Sequence, residues 1–517
     1  MVHRNITIAN GSDATDATSI SRVGCEDSES TRALATAMQF TREQWLRMCA
    51  ISAVVLIPCF WHHEIEADDL GSHLYNAWLV QLIHRGQLPG LWVVRPWTNA
   101  LFDYMLSGFG TVFGLHAGEK IAVALAVLVF FWGAFAMVAA ATRRPPWLIA
   151  PCIALATYGW TFEMGFLNYY LSFGLAFFGL AIFWRGRGWE RLAVLAIAPV
   201  ALLANPLGVI WLAGACLYVW AAEAASRRFQ VLWFAMAAAG IFVVPKILGA
   251  LYTLDPPTKP FYFFNGADQV LLFGPRYALI EWGLIAFAVI AIAADLLARR
   301  SERGTRTFGT RYAIPLQFYA LAILAVWQLP GGVQVSLDTT AASLLTERFT
   351  TISAVLACCL LGAMRPKIWH LAATGALAAV FFAFLWQDTG RINRMEAQIV
   401  RLVSKLPPGQ RVVGSILSDE TTRVLKQHIL DRACIGRCFS YGNYEPGSRD
   451  FRVRARPGNA YVLSNFDQAA STEDGDYVVQ PSDLPLYQVY ECSDAGQKLC
   501  IAALHAGQDN NAVASDP

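Results

Sequence analysis

GEKIAVALAVLVFFWGAFAMVAAA, residues 118–141, carries no charge after Lys120 and runs straight into Thr142-Arg143-Arg144. A helix rises about 1.5 Å per residue, so a stretch of this length covers a hydrocarbon core of about 30 Å. The arginine pair marks the end that stays on the cytoplasmic side. Outward from this segment, apolar runs of suitable length recur at 44–61, 146–161, 165–184, 190–204, 207–223, 230–250, 278–298, 313–329, 350–364 and 368–387. With 118–141 they make eleven expected transmembrane helices, and the expected fold class is an α-helical polytopic membrane protein. Composition agrees. The chain has 517 residues, 56% hydrophobic and only 15% charged, where a soluble protein carries about 25% charged residues.

Charge placement orients the bundle. With the N-terminus inside, the inside loops hold Arg143 and Arg144, then Arg185, Arg187 and Arg191, then Arg227 and Arg228, then the run Arg299 to Arg311, then Arg365 and Lys367. The facing loops hold few basic residues: Arg85, Arg95, Lys259, Arg276 and Arg348. That asymmetry is the positive-inside pattern. One boundary rests on Asn205-Pro206 alone, and losing it would invert the segments before it relative to those after it. The consistency of the loops argues for keeping it. The polar residues 1–43 lack the apolar core of a cleavable signal and are expected as a flexible cytoplasmic tail. A net charge of +2 does not suggest a nucleic-acid partner.

Two regions are expected outside the bundle, both on the outer face. The first is the loop 62–117, with amphipathic stretches at 69–84 and 99–113 that suit helices lying in the interface plane, punctuated by Gly86, Pro89, Gly90 and Pro96. The second, residues 388–517, opens with a helical pattern (Ile392, Met395, Ile399, Leu402, Val403, Leu406) ended by Pro407-Pro408-Gly409. Strand-like runs follow at 411–416, 460–463, 487–490 and 499–502, giving a small α/β module after a transmembrane domain of 44–387. Four of the 11 cysteines, Cys434, Cys438, Cys492 and Cys500, lie in this module. An even number there fits two disulfides in an oxidising compartment, with a four-cysteine zinc site as the rival reading.

The densest polar cluster follows the first helix: His62-His63-Glu64-Ile65-Glu66-Ala67-Asp68-Asp69-Leu70-Gly71-Ser72-His73. Loop carboxylates are often only solvated. Here they sit on the side with little basic charge, and Asp69 and His73 are spaced to share one helix face. A Gly86-Gln87-Leu88-Pro89 turn ends that helix.

In these features the sequence resembles the GT-C superfamily of membrane glycosyltransferases, which includes the protein O-mannosyltransferases and the lipid A aminoarabinose transferases. The resemblance covers the topology and the motif Asp68-Asp69, His73 and Gly86 to Pro89. It departs at Leu70, where the second acid of the usual pair would fall, so the catalytic position stays open between Asp68 and Asp69. The resemblance implies a hexosyl- or pentosyltransferase of an inner membrane, using a polyprenyl-phosphate sugar and an acceptor hydroxyl on a lipid, glycan or protein. Asp69, with Asp68 second, is the expected base, and inversion the expected outcome. Glu66, His73 and Glu163 are expected near the substrate, with Lys246, Lys259, Arg276 and Arg348 as partners for the leaving phosphate. A structural Lys246–Glu281 pair is the plainer reading of those two residues. No cofactor is expected to be required. The acid-x-acid pair Glu66 and Asp68, with His62 and His63 beside it, is a weaker candidate for a divalent metal. Two further readings stay open: a transporter or flippase for lipid-linked sugars, and a non-enzymatic envelope assembly protein.

Overall fold

The computed structural model describes residues 42–224, 226–256, 264–301, 308–336, 339–416, 428–448, 451–492 and 498–510. Two compact units divide the chain, Met1–Val55 and Leu56–Pro517. In the first, the helix Arg42–Val55 carries an exposed Glu43–Arg47 pair one turn apart.

In the second unit, seven helices among the described residues are long and apolar enough to cross a membrane: Leu115–Thr142, Leu167–Arg185, Pro206–Ala224, Arg228–Leu251, Pro275–Ala298, Leu345–Ala363 and Ile368–Val403. Many of their large side chains, such as Ile210, Val231, Leu279 and Val289, point outward uncovered. Water would not tolerate so wide an apolar surface, whereas lipid does. The chain is a multi-pass membrane protein. Four of the eleven expected spans are not among the seven. Segment 44–61 is represented by Arg42–Val55, and segment 313–329 by the shorter apolar helix Ala313–Gln328. Segment 146–161 breaks into Ala150–Thr157 and Trp160–Glu163, because Tyr158 and Gly159 leave the helical conformation. Segment 190–204 yields a 3₁₀ turn and the 11-residue helix Val194–Ala204, which ends at extended Asn205 before Pro206 opens the next helix.

Small residues let two of these helices come together. Gly133 and Gly174 face each other so closely that a Cβ on Gly133 would overlap the Gly174 carbonyl. Just beside them Phe130 stacks on Tyr170 with centroids 4.2 Å apart. Such glycine contacts replace the hydrophobic drive that is missing between helices in lipid. The pairing fixes where Leu167–Arg185 begins, and hence the Met164-Gly165-Phe166 turn before it.

Ile368–Val403 runs unbroken through the expected boundary at 387/388, and its 36 residues are about 54 Å long. No glycine–proline break stands between the apolar span and the amphipathic continuation, so one rigid helix serves both. Beyond it, a four-stranded sheet has the order Phe439–Ser440, Arg411–Ser415, Leu486–Glu491, Leu499–Ala503. The first two junctions are parallel and the last antiparallel. Residues 460–463, expected as a strand, take no strand conformation; Asn459 instead ties down this turn by accepting from the N–H groups of Tyr461 and Val462.

The first loop departs most from expectation. The helix Leu70–His84 does not lie with one face open to an interface. Even its polar Ser72, His73 and Asn76 are buried. Tyr75, Leu79, Val80, Leu88 and Leu91 share one core with Ile392, Ile399, Val412, Ile429 and Val489 of the C-terminal region. Asn76 and Asn443 exchange side-chain hydrogen bonds, and the Ser440 N–H donates to the Tyr75 hydroxyl. Strand Leu91–Val93 pairs antiparallel with Val453–Ala455. Loop and module are therefore one folded body.

Candidate active site

The acidic stretch forms a tight turn into the helix Leu70–His84, with Leu70 N–H bonded to the Ala67 carbonyl at 2.7 Å. Its backbone is held from below. Asp68 N–H donates to the Glu163 carbonyl at 2.9 Å, and Asp69 N–H to the Met164 carbonyl at 3.4 Å. This approach needs glycine next door: Gly165 has φ +75°, and a Cβ there would sit 2.6 Å from the Asp69 nitrogen.

Both oxygens of Asp69 are engaged. Tyr444, from the C-terminal region, donates its hydroxyl to Oδ1 at 2.7 Å, and His428 Nε2 lies 3.9 Å from the same oxygen. His73 Nε2 lies 3.4 Å from Oδ2, as the four-residue spacing allows. On its other side His73 Nδ1 meets Asp103 Oδ1 at 2.7 Å, while Asn168 donates to Asp103 Oδ2 at 2.8 Å. Burial alone would push Asp69 up, but His73, the nearby His428 and the Tyr444 hydroxyl outweigh it and hold the carboxyl at about 2. Burial would likewise neutralise His73, yet Asp103 and Asp69 raise it well above its usual value, so it sits as an imidazolium between two carboxylates. Asp103 is lowered correspondingly against the pull of burial, chiefly by His73. His428 is also raised against burial, by its bond to Asp431 (3.0 Å) and the charge of Asp68.

Beside this chain of groups lies an arginine hub. Arg432 donates to the Ile65 carbonyl at 2.8 Å and faces Glu119, Glu396 and Glu64 at 3.5, 3.6 and 3.8 Å. Glu66, bonded by Asn393 at 2.6 Å, is pushed up to about 7 by burial, with Arg432 pulling the other way.

Asp68, Asp69 and His73 thus belong to one cluster, and Arg348 lies within electrostatic reach of Asp69 and Tyr444. The Arg348 guanidinium is seated 3.7 Å from the centre of the Phe166 ring, and its buried Nε has no hydrogen-bond partner among the described residues. Glu163 accepts from the Asp68 N–H of the loop through its backbone carbonyl. Its side chain is buried, and burial with Glu66 and Asp388 nearby pushes its carboxyl well up. Arg276 is committed to Asp388 at 2.6 Å. Lys246 is exposed on the helix Arg227–Leu251, and Lys259 lies outside the described residues. Glu66 accepts a hydrogen bond from Asn393 at 2.6 Å, and the charge of Asp68 acts on His428. Cys434 with Cys438 and Cys492 with Cys500 are disulfide-bonded rather than gathered round a metal.

Sequence reasoning missed Tyr444, His428, Asp103, Asn168 and Arg432. Asp103 alone had a local signal, as an acid in the first turn of an otherwise apolar amphipathic helix. Tyr444 is 375 residues from Asp69, and nothing local announces their meeting.

No family model matches the chain, and no curated protein matches it. Among solved structures it is similar to the archaeal oligosaccharyltransferase AglB from Archaeoglobus fulgidus in complex with an inhibitory peptide and a dolichol-phosphate. That similarity has 11% sequence identity and a TM-score of 0.39, and covers 88% of this chain and 70% of that one. Fold and site together define a multi-pass membrane protein whose first long loop is roofed by its C-terminal region, with an ionised aspartate at their junction.

Proposed function

We propose that this protein is a GT-C-type membrane glycosyltransferase that moves a sugar from a polyprenyl-phosphate carrier to an acceptor hydroxyl. The reaction would take place at the outer face of an inner membrane, where the two disulfides also belong. The observation that carries the reading is Asp69 itself: a largely buried carboxylate kept ionised by His73, His428 and Tyr444, with Arg348 close by. Burying a charge costs free energy, and such perturbed groups cluster where chemistry is done. A purely structural ion-pair network would explain Tyr444 and His428, but makes no use of Arg348 Nε, which has no hydrogen-bond partner among the described residues.

In this reading the acceptor oxygen attacks the anomeric carbon as the bond from that carbon to the phosphate oxygen breaks. The phosphate leaves with the bonding electrons, toward Arg348. The hydroxyl proton passes to Asp69, with Asp68 as the second candidate. A carboxylate near 2 is a weak base at rest, so the proton moves late, once bond formation has acidified the hydroxyl. Until the proton arrives, the same anion stabilises positive charge on the sugar. His73 orients Asp69, and Asp103 with Asn168 orients His73. A single displacement inverts the anomeric centre.

The test is transfer of radiolabelled sugar from cell-envelope lipid carriers by membranes holding equal amounts of wild type, Asp69→Asn and Asp68→Asn. Loss of product in one variant with carrier sugar accumulating supports the reading. Unchanged transfer in both removes the acidic turn from the mechanism and brings the transporter reading forward.

A further inference from the structure

We infer that His63, Glu64 and His116 form a binding site for a divalent transition metal ion, zinc foremost, separate from the Asp69 cluster. This does not rest on the sugar-transfer reading. One ligand atom from each of the three residues falls within 4.8 Å of the others, and no other such group occurs among the described residues. The Nδ1 atoms of both imidazoles face the Glu64 carboxylate, at 2.7 Å for His63 and 3.5 Å for His116. An ion about 2.0–2.2 Å from each of three tetrahedral ligands needs those atoms on the order of 3.3 Å apart. His63 meets Oε1 and His116 meets Oε2, and with all three ligand atoms within 4.8 Å of one another, side-chain rotations bring them to that separation.

The backbone carrying these residues is already fixed. His62 stacks on Trp386 and its Nε2 lies 2.9 Å from the Trp386 carbonyl, while Glu64 N–H donates to Asn393 at 3.0 Å. Both anchors belong to the helix Ile368–Val403. His116 stands in the first turn of Leu115–Thr142, one turn before Lys120, which donates to the Cys59 and His62 carbonyls at 3.0 and 3.2 Å. Arg432, 3.8 Å from Glu64 Oε2, orients the carboxylate as outer-shell partners of metal ligands do. Two imidazole nitrogens and one carboxylate oxygen suit zinc, copper, nickel or cobalt, and not magnesium or calcium, which prefer all-oxygen shells. The His63 and His116 side chains are 79% and 50% exposed, which leaves an entry path and room for water as a fourth ligand.

The experiment uses the full chain in nanodiscs, without a histidine tag, stripped with EDTA and dialysed against graded zinc. Bound zinc is counted by mass spectrometry for wild type, His63→Ala and His116→Ala. The expected result is one zinc per wild-type chain, resistant to millimolar magnesium or calcium, with affinity lowered in either variant by at least the roughly 100-fold that loss of an outer-shell partner can cost. Zinc should also raise the melting temperature of wild type but not of the variants, whose zinc-free melting should match wild type because both side chains are mainly exposed. Absence of binding by wild type, or zinc uptake by either variant equal to that of wild type, overturns the proposal.

Discussion

Asp69 is tuned by neighbours that come from four separate parts of the chain, so its chemistry is sensitive to single atoms. Tyr444→Phe deletes one hydrogen bond to a charged oxygen, which is worth about 1.5–3 kcal/mol. Transfer should fall at least about tenfold, and the acid limb of the pH–rate profile should move upward as Asp69 loses a partner that favours its ionised form. With wild type that limb should lie near the low Asp69 value of about 2, as far as folding permits. Gly165→Ala tests the turn beneath. An alanine there combines left-handed backbone with a Cβ pressed on Asp69 N, at a cost of about 1–3 kcal/mol. Labelled-sugar transfer should drop more than the amount of inserted protein does, because the strain lands on the acidic turn.

Among elements, two joints carry the site. The Gly133–Gly174 contact sets the height of the helix that follows Gly165, and Gly133→Val should force the helices apart. The expected loss is about 1–3 kcal/mol, read as a lower midpoint in thermal unfolding of the detergent-solubilised protein. The second joint is the small sheet between Leu91–Val93 and Val453–Ala455, extended by the Val94 N–H to the Arg452 carbonyl at 2.8 Å. Val94→Pro removes that donor. Hydrogen exchange at 453–455 should speed up while exchange in the helix Leu115–Thr142 stays slow. The helix Leu70–His84 explains why sequence reading placed the loop at the interface. Its apolar spacing suits a one-sided helix equally well, and only the module covering the other side reveals that Ser72, His73 and Asn76 are interior.

At the scale of the whole molecule, buried acids make docking of loop and C-terminal region depend on pH. Glu66 titrates near 7 when folded, above the usual carboxylate value of about 4.3. Between these values the folded state binds more protons than the unfolded one, so its stability falls as pH rises through this window. Glu473, raised to about 7 by burial, acts in the same direction. His73 and Asp69 do not oppose this within the window. A raised histidine contributes fully below about 6.5 and is lost only above its high folded value, and the lowered aspartate contributes above about 3.9 and is lost toward 2. Glu66→Gln should therefore match wild type near pH 4.5 and exceed its melting temperature at pH 8. Equal melting curves at both pH values would remove Glu66 from the linkage.

The sequence by itself determined the solvent of this protein, the position of its long apolar helices, and the short acidic turn with His73 one helical turn further on. These are local properties. Hydrophobic length, glycine and proline punctuation and four-residue spacing act over distances shorter than the elements they describe. Only the tertiary structure decided that the helix Leu70–His84 of the first loop is buried, that one helix joins span and module, and that Tyr444, His428, Asp103 and Arg432 surround the acids. Those contacts join residues up to 375 positions apart. Their energy is the balance between the cost of desolvating charges and the gain from pairing them, which exists only once the chain has closed on itself.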